Sequence, residues 1–379
     1  MLIANGTFTS EAVSPGHPDK IADQISDAIL DACLTQDPGA RVAIECAIKG
    51  DLICLMGEIT ADAAIDAPEI ARQVLREIGH EDGAWGLNPD TMEVITRITR
   101  QSPEIGARVD GADTGAGDQG IMFGFACDDD HSLMPAPIVA ANALRDRMRT
   151  WQTDEYPDYC GPDGKTQATV RYENGRAVAL ETVVMSCQHA AHVGLEEIRD
   201  LLLGNLMAEM EFSGDILRRL ITPKTRFLIN TAGTFHEGGP VADAGLTGRK
   251  IIADGYGGFA RHGGGAFSGK DATKLDRSGA YGARQLARDV VARGWATACE
   301  VRVAYAIGEA APVAIGFDTF GTGGDPAPRY RALGLDLAAA LRPRAIIERL
   351  GLTRPIYRDT ARYGHFGRMG LPWEQPLLG

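Results

Sequence analysis

A local pattern recurs three times along the 379 residues and limits the folds open to the chain. Each copy runs from a helical period through two strand-like stretches joined by a tight turn, then into a second helical period. In the first copy Ile21, Ile25, Ala28, Ile29 and Ala32 keep helical spacing. Residues 41–48 and 52–60 then meet as strands across Gly50-Asp51, and 68–78 is helical again. The second copy has a helix over about 137–148, strands meeting at Asn174-Gly175, and a helix over 195–210. The third has a helix ending near Arg293, strands over 301–307 and 313–317, and a helix around 330–341. The spacing predicts an α+β fold of three pseudo-repeated domains, each a mostly antiparallel sheet covered by helices on one face. A repeat longer than a hundred residues is too long for a solenoid. The domains are expected at 1–103, 104–231 and 232–379, the central one opening with a mobile lid loop over 104–117.

The stretch from Gly248 to Arg277 carries Arg249, Lys250, Arg261, Lys270, Lys274 and Arg277 against Asp254, Asp271 and Asp276, with glycines spread among them. A cationic, glycine-rich segment in a chain of net charge −13 points to a polyphosphate site. Glycines let backbone N–H groups close on an anion, and Lys and Arg neutralise it. Within it, Gly264 to Lys270 keeps P-loop spacing, but Asp271 stands where a Ser or Thr hydroxyl would bind Mg²⁺. Kinase-type chemistry is therefore disfavoured.

The same acidic balance argues against a nonspecific nucleic-acid or anionic-membrane binder. No apolar run approaches the roughly 20 residues of a membrane span, and no secretory signal is visible. Cysteines 33, 46, 54, 127, 160, 187 and 299 are scattered and form no CxxC pair, so they read as reduced thiols of a cytoplasmic protein. Pro18 suits a first helical turn, which puts His17 just outside a helix N-terminus, where anions are favoured. Asp19, Asp23, Asp27 and Asp31 then share one helix face. Asp19 lies within reach of a metal–phosphate, whereas Asp23 and Asp31 are expected on a solvated acidic face.

The segments TSEAVSPGHPDKIADQISDAILDA (9–32), GEIT (57–60), QSP (101–103), GAGDQG (115–120), LMPAPI (133–138), the long run 238–278, YAIG (305–308) and YGHFGR (363–368) together resemble S-adenosylmethionine synthetases. The resemblance implies an enzyme that joins ATP and L-methionine into S-adenosylmethionine, with pyrophosphate and phosphate released. It implies two Mg²⁺ ions per site and K⁺, and a homo-oligomer (a dimer, or a dimer of dimers) with sites at the dimer interface. By the same resemblance His17, Lys165, Arg249 and Lys270 are catalytic. Asp163, Phe235, Asp243, Lys250 and Ala266 join them in binding ATP. Glu58, Gln101, Asp118, Asp243 and Lys274 match the methionine set, Asp19 and Asp276 the Mg²⁺ ligands, and Glu45 the K⁺ ligand. Attack by a thioether sulfur needs no general base, and no nucleophilic Cys or Ser stands out.

Three departures stand against the family pattern. Pro15 replaces an acidic residue before GHPDK, and INTAGTFHEGGP at 229–240 puts Thr234 where a cation usually flanks the adenine position. The stretch from Gln101 to Gly115 is also a few residues short. A regulatory subunit without catalysis remains the reading from another class. Retention of His17, Asp19, Lys165, Lys270 and Asp276 together speaks against it.

Overall fold

The computed structural model describes residues 3–81, 83–100, 115–210 and 216–377. Strands β1 (Gly6–Val13), β2 (Arg41–Lys49), β3 (Leu52–Thr60), β4 (Glu93–Thr99), β5 (Gly120–Cys127), β6 (Cys160–Glu173), β7 (Arg176–His189), β8 (Arg226–Ile229), β9 (Gly245–Leu246), β10 (Ala298–Tyr305) and β11 (Ala314–Asp318) form three sheets. Their orders are β4-β3-β2-β9, β1-β6-β7-β8 and β11-β10-β5. Every pairing is antiparallel except β3 with β4 and β7 with β8. Mostly antiparallel sheets are what the predicted hairpins require.

Each hairpin has a long helix before it. Helix α1 (Pro18–Gln36) covers β2 and β9. Val42, Ile44, Cys46 and Ile48 alternate on the buried face of β2 and meet Ile21, Ile25 and Ile29 of the helix. Helix α2 (Ala67–Ile78) packs beside α1, its N-terminus capped by Asp66 and its C-terminus closed by left-handed Gly79. Helix α3 (Ala136–Thr150) covers β1 and β6, and α4 (Leu195–Met210) follows the second hairpin. Helix α5 (Leu275–Ala292) covers β5 and β10, and the chain ends through α6 (Pro343–Leu350) and α7 (Arg358–Tyr363). One apolar core runs continuously through the first and third sheets, and a second lies under the middle sheet.

Each sheet also takes a strand from outside its own stretch of chain. The strand β1 pairs with β6, β5 with β10, and β9 with β2. The helix expected around 330–341 is instead two short helices, Ala327–Ala332 and Leu337–Ala340. Gly334, at φ +78°, turns the chain between them in a conformation that stops a helix. No described helix is long and apolar enough to cross a membrane, and all seven cysteines are free.

Candidate active site

Pro18 occupies the first helical position of α1, and His17 caps the helix, its Nδ1 accepting the Asp19 N–H at 3.2 Å. A neutral imidazole that accepts at Nδ1 carries its proton on Nε2, so the ring has one N–H left to donate. His17 is buried. Burial, then the charges of Lys250 and Lys165, push its pKa down to about 3. At neutral pH the ring is an uncharged donor, and the helix terminus adds its own preference for an anion.

The acidic row of α1 does not form the solvated face expected for Asp23 and Asp31. Asp19, Asp23 and Asp27 are buried and Asp31 is half-buried. Each accepts a backbone N–H from a residue more than two hundred positions further along: Asp19 from Leu246 at 3.0 Å, Asp23 from Gly248 at 2.8 Å, Asp27 from Gly269 at 2.8 Å and Asp31 from Arg358 at 2.9 Å. Three of them also meet a cation. Lys250 bonds Asp19, Lys20 lies 3.0 Å from Asp23, and Arg277 lies 2.7 Å from Asp27. Carboxylates leave water only where such partners replace it. The four-residue period therefore fastens the glycine-rich segment along α1. Gly269 completes the fit: its φ is +79°, and a side chain there would strike the carbonyl of Ile44.

Charge collects at the start of α1. Lys165, from β6, and Asp243 act electrostatically on both His17 and Asp163. Asp163 accepts the Gly239 N–H at 2.8 Å, and burial pushes its pKa up to about 6. Burial alone would raise Asp19, but the hydrogen bonds from Lys250 and the Leu246 N–H hold it below the usual carboxylate range. Arg249 stands 3.8 Å from Asp19. The structure thus gathers His17, Asp19, Asp163, Lys165, Asp243, Arg249 and Lys250. A second group contains Lys270 and Asp276, 2.6 Å apart, with Ala266 nearby. The two groups adjoin where Gly248 faces Ala266, so closely that a side chain at Gly248 would press on the Ala266 methyl.

The remaining expected residues lie apart from these groups. Lys274 is paired with Asp271. Phe235 is half-buried, with its N–H on His189 Nε2 at 3.1 Å and its carbonyl accepting the His189 N–H at 2.8 Å. Thr234 beside it is exposed. Asp118 is exposed and accepts the N–H of its neighbour Gln119. Glu45 is exposed and Glu58 half-buried on the outer face of the first sheet. Lys270 bridges to Ala43, which is in register with Glu58, so the same face leads to Lys270. Gln101 and most of the expected lid fall outside the described residues.

Sequence reasoning missed Lys20, buried between Asp23 and Asp254 (the latter at 2.6 Å), although it closes the GHPDK motif. It also missed the Asp27–Arg277 pair, for which the only local signal was the four-residue period of the acids. Among the described residues no three His, Cys, Asp or Glu side chains come together to hold a metal ion. Asp19 and Asp276 are single carboxylates, each carrying a lysine ammonium. This suits a hard cation that brings substrate oxygens with it, as Mg²⁺ does.

Comparison with known proteins gives these groups a context. Residues 5–103 match the S-adenosylmethionine synthetase N-terminal domain, 113–235 its central domain and 237–375 its C-terminal domain. The chain is 51% identical to the S-adenosylmethionine synthase of Desulforudis audaxviator (strain MP104C), over 98% of this chain and 96% of that protein. It is 49% identical to the S-adenosylmethionine synthase of Myxococcus xanthus (strain DK1622), over 95% of this chain and 90% of that one. With all three domains matched in order, the chain belongs to the S-adenosylmethionine synthetase family.

Proposed function

We propose that this protein synthesises S-adenosyl-L-methionine from ATP and L-methionine. The sulfur lone pair of methionine attacks ATP C5′, the C5′–O bond breaks, and the electron pair leaves on the triphosphate oxygen. The triphosphate is then hydrolysed to pyrophosphate and phosphate. The single observation carrying this reading is a neutral, buried His17 at a helix N-terminus, with Lys165 and Lys250 acting on it from nearby. Such a site offers a fixed N–H and positive charge to an oxygen that becomes more negative as the bond breaks. A neutral thioether loses no proton in the attack, so the step needs no general base.

In this reading Arg249, Lys250, Lys165 and Lys270 hold the polyphosphate, and Asp163, Asp243, Ala266 and Phe235 complete the ATP site. Asp19 and Asp276 would hold Mg²⁺, which when bound neutralises phosphate charge. Glu58, Gln101, Asp118, Asp243 and Lys274 are assigned to methionine, whose ammonium and carboxylate need opposite partners. Glu45 is assigned to K⁺. One exposed carboxylate does not make a K⁺ shell, so that assignment depends on a second copy closing over the sheet face.

We take the working form to be at least a dimer in the cytoplasm, with no nucleic acid or membrane partner. Supporting the dimer, Met56, Ile95 and Leu246 stay 45%, 38% and 41% exposed on the face that also bears Glu45 and Glu58.

The test is mass spectrometry of purified protein with ATP, methionine, Mg²⁺ and K⁺. S-adenosylmethionine with equimolar pyrophosphate and phosphate is expected. Bound ATP without a sulfonium product would instead indicate a regulatory subunit, and ADP would indicate phosphoryl transfer.

A further inference from the structure

Helix α3 and the chain around α7 line a half-open cavity of about 780 Å³, which shares no lining residue with the site above. Its size lies in the roughly 300–1,000 Å³ range of small-molecule sites. Four arginines wall it: Arg145 and Arg149 from α3, Arg362 from α7 and Arg368 just beyond. The first two are buried. The guanidiniums of Arg145, Arg362 and Arg368 lie 5.9, 5.0 and 5.0 Å from the centre of the Tyr363 ring. In a chain of net charge −13, composition does not account for that convergence.

The wall's carboxylates offset it only in part: Glu77 acts on Arg362, Asp154 on Arg149 and Asp146 on Arg368, none of these pairs in ion-pair contact among the described residues. Glu77 is bonded at 2.6 Å to Arg358, which is not part of the lining, and Asp146 is taken by Arg145 at 2.6 Å. Asp130 is held by Ser132 in its own turn, and Asp154 is exposed. Among the described residues Arg149 donates only to the carbonyls of Ile78 and Glu77, at 3.1 and 3.3 Å, and Arg368 to that of Asp359 at 2.9 Å. Arg362 has no hydrogen bond or ion pair among the described residues. Burial, then the charge of Arg362, pushes the Arg149 pKa down to about 10. Clustered cations whose counter-charges stand off at a distance are costly unless an anion joins them.

We propose that this cavity is a second binding site, for a phosphate-bearing small molecule held by Arg149, Arg362 and Arg368. Planar guanidiniums pair with phosphate oxygens two at a time, and three cations with no carboxylate in ion-pair contact among the described residues suit a dianion better than a single carboxylate. The cavity's helix α3 packs on β6, the strand that carries Lys165. Met148, next to Arg149, packs under Gly164, the neighbour of Lys165.

Equilibrium dialysis of the full chain with radiolabelled inorganic phosphate tests this. The Arg362→Gln variant removes a side chain that no hydrogen bond among the described residues ties to the fold, and Thr153→Glu places a carboxylate in the cavity wall. Phosphate binding elsewhere is common to all three proteins, so the difference isolates the cavity. Each variant is expected to bind one phosphate fewer per chain at saturation, or to bind it at least tenfold more weakly. Equal stoichiometry and affinity in all three would overturn the proposal. Repeating the titration with glycerol 3-phosphate separates the sources: tighter binding than inorganic phosphate assigns the site to phosphate esters, and equal or weaker binding assigns it to the free ion.

Discussion

At the scale of single residues, the proposed reaction turns on a histidine kept from protonating. If His17 donates Nε2–H to the leaving oxygen, His17→Ala should lower kcat by about 10²–10³, the usual cost of one lost oxyanion donor. ATP affinity should change little, because the bond strengthens mainly as charge develops. Single-turnover rates and ATP binding measured on the same variant check this, and unchanged turnover would remove the role. The pH consequence has a definite sign. With a folded pKa of about 3 against the ordinary 6.5, the unfolded chain takes up the proton first as pH falls. This contribution is therefore neutral above pH 6.5 and destabilises the protein progressively between 6.5 and 3. Asp23, Asp31 and Asp163, whose pKa values burial raises to about 6, oppose it, because the folded state there holds more protons between about pH 4 and 6. Urea melts of wild type and His17→Gln at pH 7 and 5 isolate the histidine: the variant should lose less stability on acidification. His17 and Asp19 were legible in the sequence because a proline-led helix start makes them neighbours. Lys165 and Asp243 were legible only through resemblance, since no local rule brings residues so far apart to one imidazole. Lys20 was not legible, because a lysine at a helix start reads as exposed until its two carboxylates are known.

At the scale of elements, α1 is the part on which the glycine-rich segment depends. Arg277 and Asp27 are both fully buried, and the Arg277 guanidinium also lies 4.1 Å from the centre of the Tyr357 ring. Arg277→Met should cost about 3–5 kcal/mol, because it strands the carboxylate rather than removing the pair. Asp27→Asn combined with Arg277→Met should recover part of that loss, which denaturant melts of the single and double variants would measure as a coupling energy. Gly269→Ala acts on the same contact from the other side. It forces a side chain into left-handed backbone, at about 1–2 kcal/mol, and against the carbonyl of Ile44. A lower melting midpoint together with weaker binding of an ATP analogue is expected, since the neighbouring residue is Lys270. The hairpins and long helices were legible because turn residues and helical spacing are local. Gly50-Asp51 and Asn174-Gly175 do join antiparallel strands. What the period could not carry was tertiary. It gave no partner for β1, β5 or β9, and it turned the acidic face of α1 toward water when the fold turns it toward backbone amides.

At the scale of the whole molecule, the first sheet presents its two sides to different surroundings. Its inner face is closed by α1, while its outer face bears Glu45, Glu58, Met56, Ile95 and Leu246 and leads at one edge to Lys270. A sheet this apolar on its open side calls for a cover, and Glu58 and Glu45, assigned to methionine and K⁺, stand there without enough partners among the described residues to bind either. A second copy laid on this face would answer both needs. Ile95 tests the idea away from the polyphosphate residues, because β4 lies at the edge opposite β9 and the Asp19 contacts. A buried, unpaired arginine costs several kcal/mol, a large fraction of what holds a protein dimer together. Sedimentation of Ile95→Arg should therefore show about half the wild-type mass, with an unchanged far-ultraviolet spectrum. Turnover should fall at least about tenfold if the methionine site is completed across the face, since 1.4 kcal/mol already corresponds to a factor of ten. A monomeric variant with full turnover would place the whole site within one chain. A variant of unchanged mass and rate would mean that the open face is covered by something other than a second copy.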